Sequence, residues 1–255
     1  MKTKIWKWFV LVSAVVVLVI VGYAGYTVMR YMRTSPRFAV RTVSVTGLNR
    51  VEEGHVLRQA GVKGSANVFS VDLEAARKRV EGLKWVRFAT VQRVLPDTIA
   101  VKIVERTPVG VARIRCAIYQ FDAEAELLDQ DRGGADFPIL HGLISNNAEM
   151  NRKKVDLYLQ IMTDLHGKEE FSEVQINDAL EVSVISQHEP VMVILGADHL
   201  RDHWGQYLQL RKKIQTEYPD TVQVDFRFKN QAILRASPDA PDEQKVVWDT
   251  EKRSL

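Results

Sequence analysis

The sequence has few of the residues on which most enzymatic sites depend. Cys116 is the single cysteine among 255 residues, so no internal disulfide can form, and it neither demands nor excludes an oxidising compartment. The chain lacks a G-x-S-x-G elbow, a phosphate-binding P-loop and a G-x-G-x-x-G fingerprint. Its six histidines are scattered, and none gives Cys116 a recognisable catalytic partner. We therefore predict no catalytic residue, no cofactor and no small-molecule substrate.

Two histidines nevertheless have a spacing that metal sites use. His199 and His203 are four residues apart on a predicted helix, which would place both rings on one helix face. The H-E-x-x-H motif and an obvious third ligand are missing, and Leu200 and Trp204 belong to the apolar face of that helix. We expect exposed histidines here rather than a metal site.

Acidic residues are absent from the first 37 positions, and this absence explains the overall charge. This segment carries +6, from Lys2, Lys4, Lys7, Arg30, Arg33 and Arg37. The whole chain has 35 basic and 32 acidic residues, so residues 38–255 have 29 against 32, or −3. A basic surface for nucleic acid is therefore not indicated for the bulk of the protein.

One long run lacks charged side chains altogether. Residues 8–29 form 22 uncharged positions, and a helix of this length, about 33 Å, crosses a hydrocarbon core of about 30 Å. Aromatic rings, which favour the headgroup level, lie toward its two ends at Trp6, Trp8, Tyr23, Tyr26 and Tyr31. A cleaved signal peptide would be shorter and would end in a small-x-small site, which this segment lacks. We predict an uncleaved transmembrane helix.

The charges that flank this helix give a weak signal for its orientation. Basic residues stand on both sides, so the positive-inside rule is nearly balanced. A short charged tail crosses a membrane with difficulty, which favours residues 1–7 in the cytoplasm and the bulk of the chain outside. No second span is expected, because the apolar run 190–196 is too short.

Residues 38–106 have the pattern of a small α+β unit. A strand ends at Gly47, and a helix follows with Asn49 and Glu52 at capping-box spacing and Gly61 as its stop. A second helix is predicted over residues 72–82, between an Asp cap and a Gly terminator. Two alternating strands complete the order β-α-α-β-β, which suits a sheet with two helices on one face.

These two strands, residues 83–110, turn at 95–97 and are unusually charged. Ile99, Val101 and Ile103 are predicted to share one face of the second strand. The strands also carry Arg87 and Arg93, and an open sheet edge offers backbone groups to another chain. We interpret this hairpin as a binding frame, and the alternative is an ordinary solvated face.

Residues 107–235 are predicted to form a β-rich unit with helices on one face, followed by a disordered tail. Strands are expected within 116–130, at 180–186, 190–196, 221–228 and 231–235, and helices within 151–167 and 197–218. The tail, residues 236–255, is polar and charged and is expected not to pack. Its apolar cluster, Val246, Val247 and Trp248, is interpreted as incidental, with a short docking motif as the alternative.

Several of these segments resemble the FtsQ/DivIB family of bacterial cell-division proteins. The resemblance is carried by "GSANVFSVD" (64–72), "WVRFATVQRVLPDTIAVKIVERTP" (85–108), "FPILHG" (137–142) and "VQVDFRF" (222–228) behind a single span. It covers nearly the whole chain, and the long second segment is the most specific part. The resemblance implies a POTRA domain at 38–106 and the family's β domain at 107–235.

The resemblance also implies a non-enzymatic role at the septum. Such a protein would be a single-pass protein of the inner membrane, with its bulk on the periplasmic side. It would assemble with other single-pass division proteins of the FtsB and FtsL type. The main alternative is a membrane-tethered periplasmic hydrolase with an unrecognised site. A POTRA chaperone of outer-membrane assembly is disfavoured, because it would need several such domains and a run of barrel strands.

The candidate site lies in the last predicted strand pair, "VQVDFRFKNQAILR", which bends at Lys229 and Asn230. As the final strand of its sheet, residues 231–235 are expected to be an open edge. The resemblance implies that an FtsB-type segment adds to this edge, with Arg227 binding a carboxylate and Phe228 supplying apolar area. The predicted partner-binding residues are Asp225, Arg227, Phe228, Ala232 and Leu234.

The sequence departs from the family's usual pattern at two places. The turn at residues 122–126, "DAEAE", has no glycine. The motif that often reads Asp-Leu-Arg-Tyr ends in Phe228, so any hydrogen bond from the Tyr hydroxyl is lost. Alternation would also place Phe226 and Phe228 on one face, so the alternative is that these rings belong to the core.

Overall fold

The chain divides into two compact units, Met1–Arg106 and Thr107–Leu255. The structure is a computed structural model that describes residues 2–64, 66–134, 136–143, 147–165, 171–228, 231–237 and 246–249. An apolar amino-terminal helix, a small α+β unit and a large β-rich unit with helices follow one another along the chain. The predicted α+β class is therefore confirmed.

The first helix, α1, runs over Lys2–Thr34 and contains the predicted span. Within it, Leu11–Thr34 is long and apolar enough to cross a membrane, and none of its apolar window is buried by the protein. Valine favours strands in water, but in lipid the backbone must satisfy its own hydrogen bonds and a helix does so. These properties are those of a membrane anchor.

The carboxyl end of α1 is joined to the domain that follows it. The last carbonyl groups of a helix have no partner within the helix. The side-chain amide of Asn67 donates to one of them, the Met32 carbonyl, at 2.9 Å. The Phe38 and Phe69 rings meet edge to face nearby, with centroids 5.2 Å apart. The "ANVF" part of the first family-like segment, residues 64–72, therefore caps the anchor helix.

The first unit has the predicted β-α-α-β-β order. Its elements are β1 (Thr42–Thr46), α2 (Glu53–Ala60), α3 (Leu73–Glu81), β2 (Val86–Val94) and β3 (Thr98–Glu105). The sheet order is β1-β3-β2, with β1 parallel and β2 antiparallel to the central β3. Ile99, Val101 and Ile103 are buried while Lys102 is exposed, which confirms the predicted alternation along β3.

Three of the predicted helix boundaries in this unit are confirmed, including Gly82 as the C-cap of α3, and one is wrong. The Asp72 side chain accepts from the Ala75 amide at 3.0 Å, and Gly61 ends α2 in the left-handed conformation. The capping box of Asn49 and Glu52 does not form, because α2 begins at Glu53 and the N-cap Glu52 makes no side-chain cap bond. A distant carboxylate binds the amides of this segment instead.

That carboxylate belongs to Glu105, at the end of β3. It accepts the backbone N–H groups of Asn49 at 2.9 Å, Arg50 at 2.9 and 3.1 Å, and Val51 at 2.9 Å. Burial raises the pKa of Glu105, but the three amides outweigh it and hold the pKa below its ordinary value. The acidic residue of the "ERTP" motif therefore closes the β1–α2 loop.

Arg93 also stabilises the fold of the first unit. Its guanidinium donates to the carbonyls of Val68 at 2.8 Å and Val71 at 2.7 Å, and so ties β2 to the segment before α3. Lys102 remains exposed, and so does the apolar ring of Phe88. The Arg93 side chain is therefore already bound within the first unit.

The second unit contains one ten-stranded sheet with the order β13-β12-β11-β10-β9-β8-β7-β4-β5-β6. Its strands are β4 (Pro108–Ile114), β5 (Ala117–Asp122), β6 (Leu127–Gln130), β7 (Ile139–His141), β8 (Phe171–Ile176), β9 (Val182–Ser186), β10 (Met192–Gly196), β11 (Thr221–Phe228), β12 (Gln231–Ala236) and β13 (Val246–Asp249). The helices are α4 (Ala148–Asp164) and α5 (Leu200–Glu217).

Both helices pack into the same core of the sheet. Tyr158 of α4 meets Phe121 of β5, with centroids 5.5 Å apart, and Trp204 of α5 meets Phe171 of β8 at 5.1 Å. One continuous apolar cluster extends from β4 to β12. The sheet end that carries the candidate site is therefore built on a large buried core.

The turn without glycine, between β5 and β6, folds by another route. Asp122 accepts the amides of Glu124 and Glu126, both at 2.9 Å, and Ala125 adopts a left-handed φ of 64°. The aspartate therefore forms the turn that a glycine would otherwise favour, at a cost of about 1 kcal/mol for the strained alanine.

The structure differs from the expectation for the tail at five residues, the first of which, Ala236, is the last residue of β12. Val246–Asp249 forms β13, which pairs antiparallel with β12. The apolar cluster considered incidental in the sequence lies within this strand. The physical reason is that an exposed edge of β12 would leave backbone donors and acceptors unpaired, and β-branched residues pair well with such an edge. The tail residues 238–245 and 250–255 lie outside the described residues.

The Glu105 contacts predict a pH-dependent stability. Replacing Glu105 with Ala should lower the free energy of unfolding by about 1–3 kcal/mol at pH 7, because three amides lose their acceptor. The pKa of Glu105 is lower in the folded protein than in the unfolded chain. Its contribution to stability is therefore complete above the pKa of the unfolded chain, near 4.5, and is lost as the pH falls through the pKa of the folded protein. Urea unfolding of the full chain in detergent at pH 7 and pH 3 measures the difference.

Glu52→Ala is the matched control, since Glu52 is exposed and makes no cap bond. Equal destabilisation by both variants at pH 7 would contradict the role assigned to Glu105.

Candidate protein-interaction site

The predicted site lies on the β11–β12 hairpin near one end of the large sheet. β11 pairs parallel with β10 on one side and antiparallel with β12 on the other. Val224 is opposite Leu234 and Asp225 is opposite Ile233, whereas Phe228 is opposite Gln231. This shift of one residue is a β-bulge, which redirects the side chains that follow it.

The bulge explains why two phenylalanines of the same strand have different surroundings. Phe226 is 1% exposed and belongs to the core, whereas Phe228 is 47% exposed. Regular alternation predicts that they share a face, and this expectation is wrong. Phe228 is therefore presented to solvent by the backbone geometry at the hairpin end.

The five predicted residues fall into two groups. Asp225, Ala232 and Leu234 have buried side chains, and the last two belong to the apolar core. Arg227 and Phe228 are exposed. Ala232 and Leu234 therefore have no exposed side-chain surface, and Phe228 is the one exposed apolar side chain of the five.

Arg227 is already bound by two carboxylates of its own chain. Its Nε lies 3.1 Å from Asp225 Oδ1, its Nη2 lies 2.8 Å from Asp225 Oδ2, and its Nη1 lies 3.0 Å from Glu181 Oε1. Burial raises the pKa of Asp225, but the guanidinium and the amide of Arg227 hold it below its ordinary value. Arg227 thus ties the end of β11 to the segment before β9.

The strand β10 leaves room for this arginine. Gly196 has a left-handed φ of 82°, and a Cβ placed there would lie 3.1 Å from Arg227 Cγ. A side chain at position 196 would therefore be strained and would crowd the guanidinium stem. The glycine that closes the "PVMVILG" run is a requirement of this arrangement.

The two histidines considered as metal ligands have separate structural settings. His203 is half-buried, its Nδ1 lies 2.7 Å from the Leu195 carbonyl, and its ring stacks near Phe226. His199 is exposed and precedes α5 as its N-cap. The expectation of exposure is therefore confirmed for His199 and is wrong for His203. Among the residues that the structure describes, no group of three His, Cys, Asp or Glu side chains could hold a metal ion.

A shallow groove of about 420 Å³ lies beside the exposed ring. Its walls include Glu181, His199, His203, Arg227 and Phe228. The groove thus combines an apolar ring with carboxylate, guanidinium and imidazole groups. Such a mixed surface suits a peptide with both apolar and polar side chains.

The edge beyond the hairpin is occupied. The sequence predicts that β12 is an open edge, but β13 pairs with it at Gln231–Asp249, Ala232–Trp248, Ile233–Val247 and Leu234–Val246. The expectation of an open edge at β12 is therefore corrected. Among the described strands, β13 is the end of the sheet and pairs with β12 alone.

Three residues of the site were not predicted from the sequence. Glu181 is 46 positions from Arg227, and no local pattern joins the two. For His203 the sequence indicates only the spacing of a metal ligand. Gly196 carried a readable signal, since a glycine directly after an apolar strand indicates close backbone approach or a turn.

Comparisons with known proteins agree with this architecture. A family model described as "POTRA domain, FtsQ-type" matches residues 38–106. The chain is 30% identical over 246 residues to the cell division protein FtsQ of Koribacter versatilis, which covers 88% of this chain and 71% of the relative. It is 24% identical over 243 residues to the cell division protein FtsQ of Syntrophotalea carbinolica, and the match covers 91% of this chain and 84% of that relative. A region of 100 residues is 38% identical to the cell division protein FtsQ of Corynebacterium glutamicum, and the match covers 39% of this chain and 42% of that relative.

The ion pairs at the hairpin end predict a stability effect. Asp225→Ala should lower the free energy of unfolding by about 1–3 kcal/mol, because Arg227 loses its bidentate partner. Asp220→Ala is the control, since Asp220 is an exposed turn residue just before the same strand. Chemical denaturation of both variants beside the parent protein measures the difference. An Asp225 variant no less stable than the Asp220 variant would show that the ion pair does not support the hairpin.

Proposed function

Because this chain belongs to the FtsQ family of bacterial cell-division proteins, we propose that it is a non-enzymatic scaffold that recruits single-pass partners to the septum. The partners are of the FtsB and FtsL type. A segment of the partner pairs as a strand with the edge of the large sheet at β12. Phe228 supplies the apolar contact beside that edge.

The observation that carries this proposal is that the β12 edge already accepts a strand. β13 pairs there through four consecutive residue positions. Strand addition draws its affinity from backbone hydrogen bonds and its specificity from nearby side chains. β12 is well suited to this role, because Ala232 and Leu234 fix it to the core from within.

The membrane anchor supports the same role. We assign α1 to the inner membrane, residues 1–7 to the cytoplasm and the two folded units to the periplasmic side. An anchored scaffold and its single-pass partners then share the plane of the membrane, which raises their encounter frequency relative to free diffusion in three dimensions. The POTRA domain at 38–106 and the β domain at 107–235 stand between the anchor and the tail.

The exposed ring provides the sharpest test of the site. Phe228→Glu should weaken binding of the FtsB/FtsL-type pair from the same organism at least about tenfold, because an apolar anchor becomes a charge at the interface. The fold should survive, since Phe228 is half-exposed. Co-purification and titration in detergent, with circular dichroism of each variant, measure both properties.

Val222→Glu is the matched control for this test. Val222 is 39% exposed and lies on the same strand at its opposite end. It should bind the partner pair as well as the parent does. If the folded Phe228 variant also binds with parental affinity, the partner does not use this end of the sheet.

A further inference from the structure

The strand β13 occupies the same backbone edge to which a partner strand would add. It covers β12 from Gln231 to Leu234 in antiparallel register. One side of a strand can pair with only one other strand, because each N–H and C=O there points in a single direction. The cis strand and a trans strand therefore exclude each other over these residues.

We propose that Val246–Asp249 is a displaceable self-strand that covers the β12 edge in the free protein and leaves when a partner strand pairs there. The inference rests on the proposed function, since it concerns the regulation of the same site. The tail would then compete with the partner strand for the β12 edge. This competition lowers the apparent affinity of the scaffold for the partner, and only a partner that binds strongly enough displaces the tail.

The position of β13 in the sheet makes it the strand that can leave. It is only four residues long and pairs with β12 alone among the described strands. β12, in contrast, pairs with β11 along its length and sends Ala232 and Leu234 into the core. Removing β13 therefore breaks one short ladder, whereas removing β12 would open the apolar core.

The covalent connection makes so short a strand an effective competitor. Residues 235–245 connect Leu234 to its register partner Val246, so the tail segment never diffuses away. Short tethers give effective concentrations on the order of millimolar. A self-strand that is paired about nine-tenths of the time raises the apparent dissociation constant of a competing strand about tenfold.

The first test asks whether the tail pairs with β12 of the same chain. In a Cys116→Ser background, cysteines are introduced at Ile233 and Val247 in one variant and at Ala232 and Trp248 in another. These register pairs are adjacent, so one of them is the closely spaced type of antiparallel pair, which disulfide geometry favours. Ile233→Cys with Asp249→Cys is the out-of-register control.

Mild oxidation should produce a disulfide within one chain in at least one register pair, and much less in the control. Mass spectrometry and non-reducing gels distinguish this product from a linked dimer. Failure of both register pairs to close would overturn the proposal. So would formation of the dimer alone, since the tail would then pair with a second copy.

The second test measures binding of the FtsB/FtsL-type pair. Ending the full chain after Lys245 should tighten binding about tenfold, by removing the competitor. The oxidised register variant should bind at least about tenfold more weakly than the same variant after reduction. Unchanged binding in both comparisons, or weaker binding after truncation, would overturn the proposal.

These outcomes are separable from those that test the proposed function. If Phe228→Glu abolishes binding while truncation and locking have no effect, the partner site stands and the self-strand proposal fails. If Phe228→Glu binds normally as well, the partner uses another surface and the proposed function of this edge fails.

Discussion

The backbone groups along the edge of β12 that faces away from β11 are the constraint from which the candidate site follows. The edge of a β-strand carries donors and acceptors that require a partner, whether water, a neighbouring segment or another chain. The carboxyl-terminal hairpin gives β12 such an edge on the side away from β11, and its buried Ala232 and Leu234 keep this edge fixed. β13 then satisfies the edge from within the chain. The proposed docking role and its proposed regulation both use this one row of backbone groups.

The charged residues around this edge maintain its shape. Arg227 is held between Asp225 and Glu181, and Gly196 gives it room, so the end of β11 has a defined geometry. The bulge after Asp225 turns Phe228 outward. In the first unit, Glu105 and Arg93 likewise bind backbone groups of neighbouring loops. Asp225, Arg227, Arg93 and Glu105 therefore support the local structure of this protein.

The parts of the fold that depend on local sequence were predictable. Helix α1, the caps at Asp72 and Gly61, and the alternation of Ile99, Val101 and Ile103 follow from length, capping chemistry and periodicity. Features that depend on distant residues were not. The capping box of Asn49 and Glu52 does not form, because Glu105, more than fifty positions away, accepts the backbone amides of this segment. The bulge broke the alternation at Phe228, and a tail of polar composition still supplied a strand because an edge was available to it.

A photo-activated cross-linker placed along the sheet end tests the location of the docking edge most directly. Benzoylphenylalanine is introduced singly at Phe228 and Gln231, and at the exposed Phe88 of the first unit as a comparison. The full chain and its FtsB/FtsL-type partners are then irradiated in cells. Docking at the β12 edge predicts partner adducts from positions 228 and 231 and few from 88. Adducts from position 88 with none from the other two would contradict it.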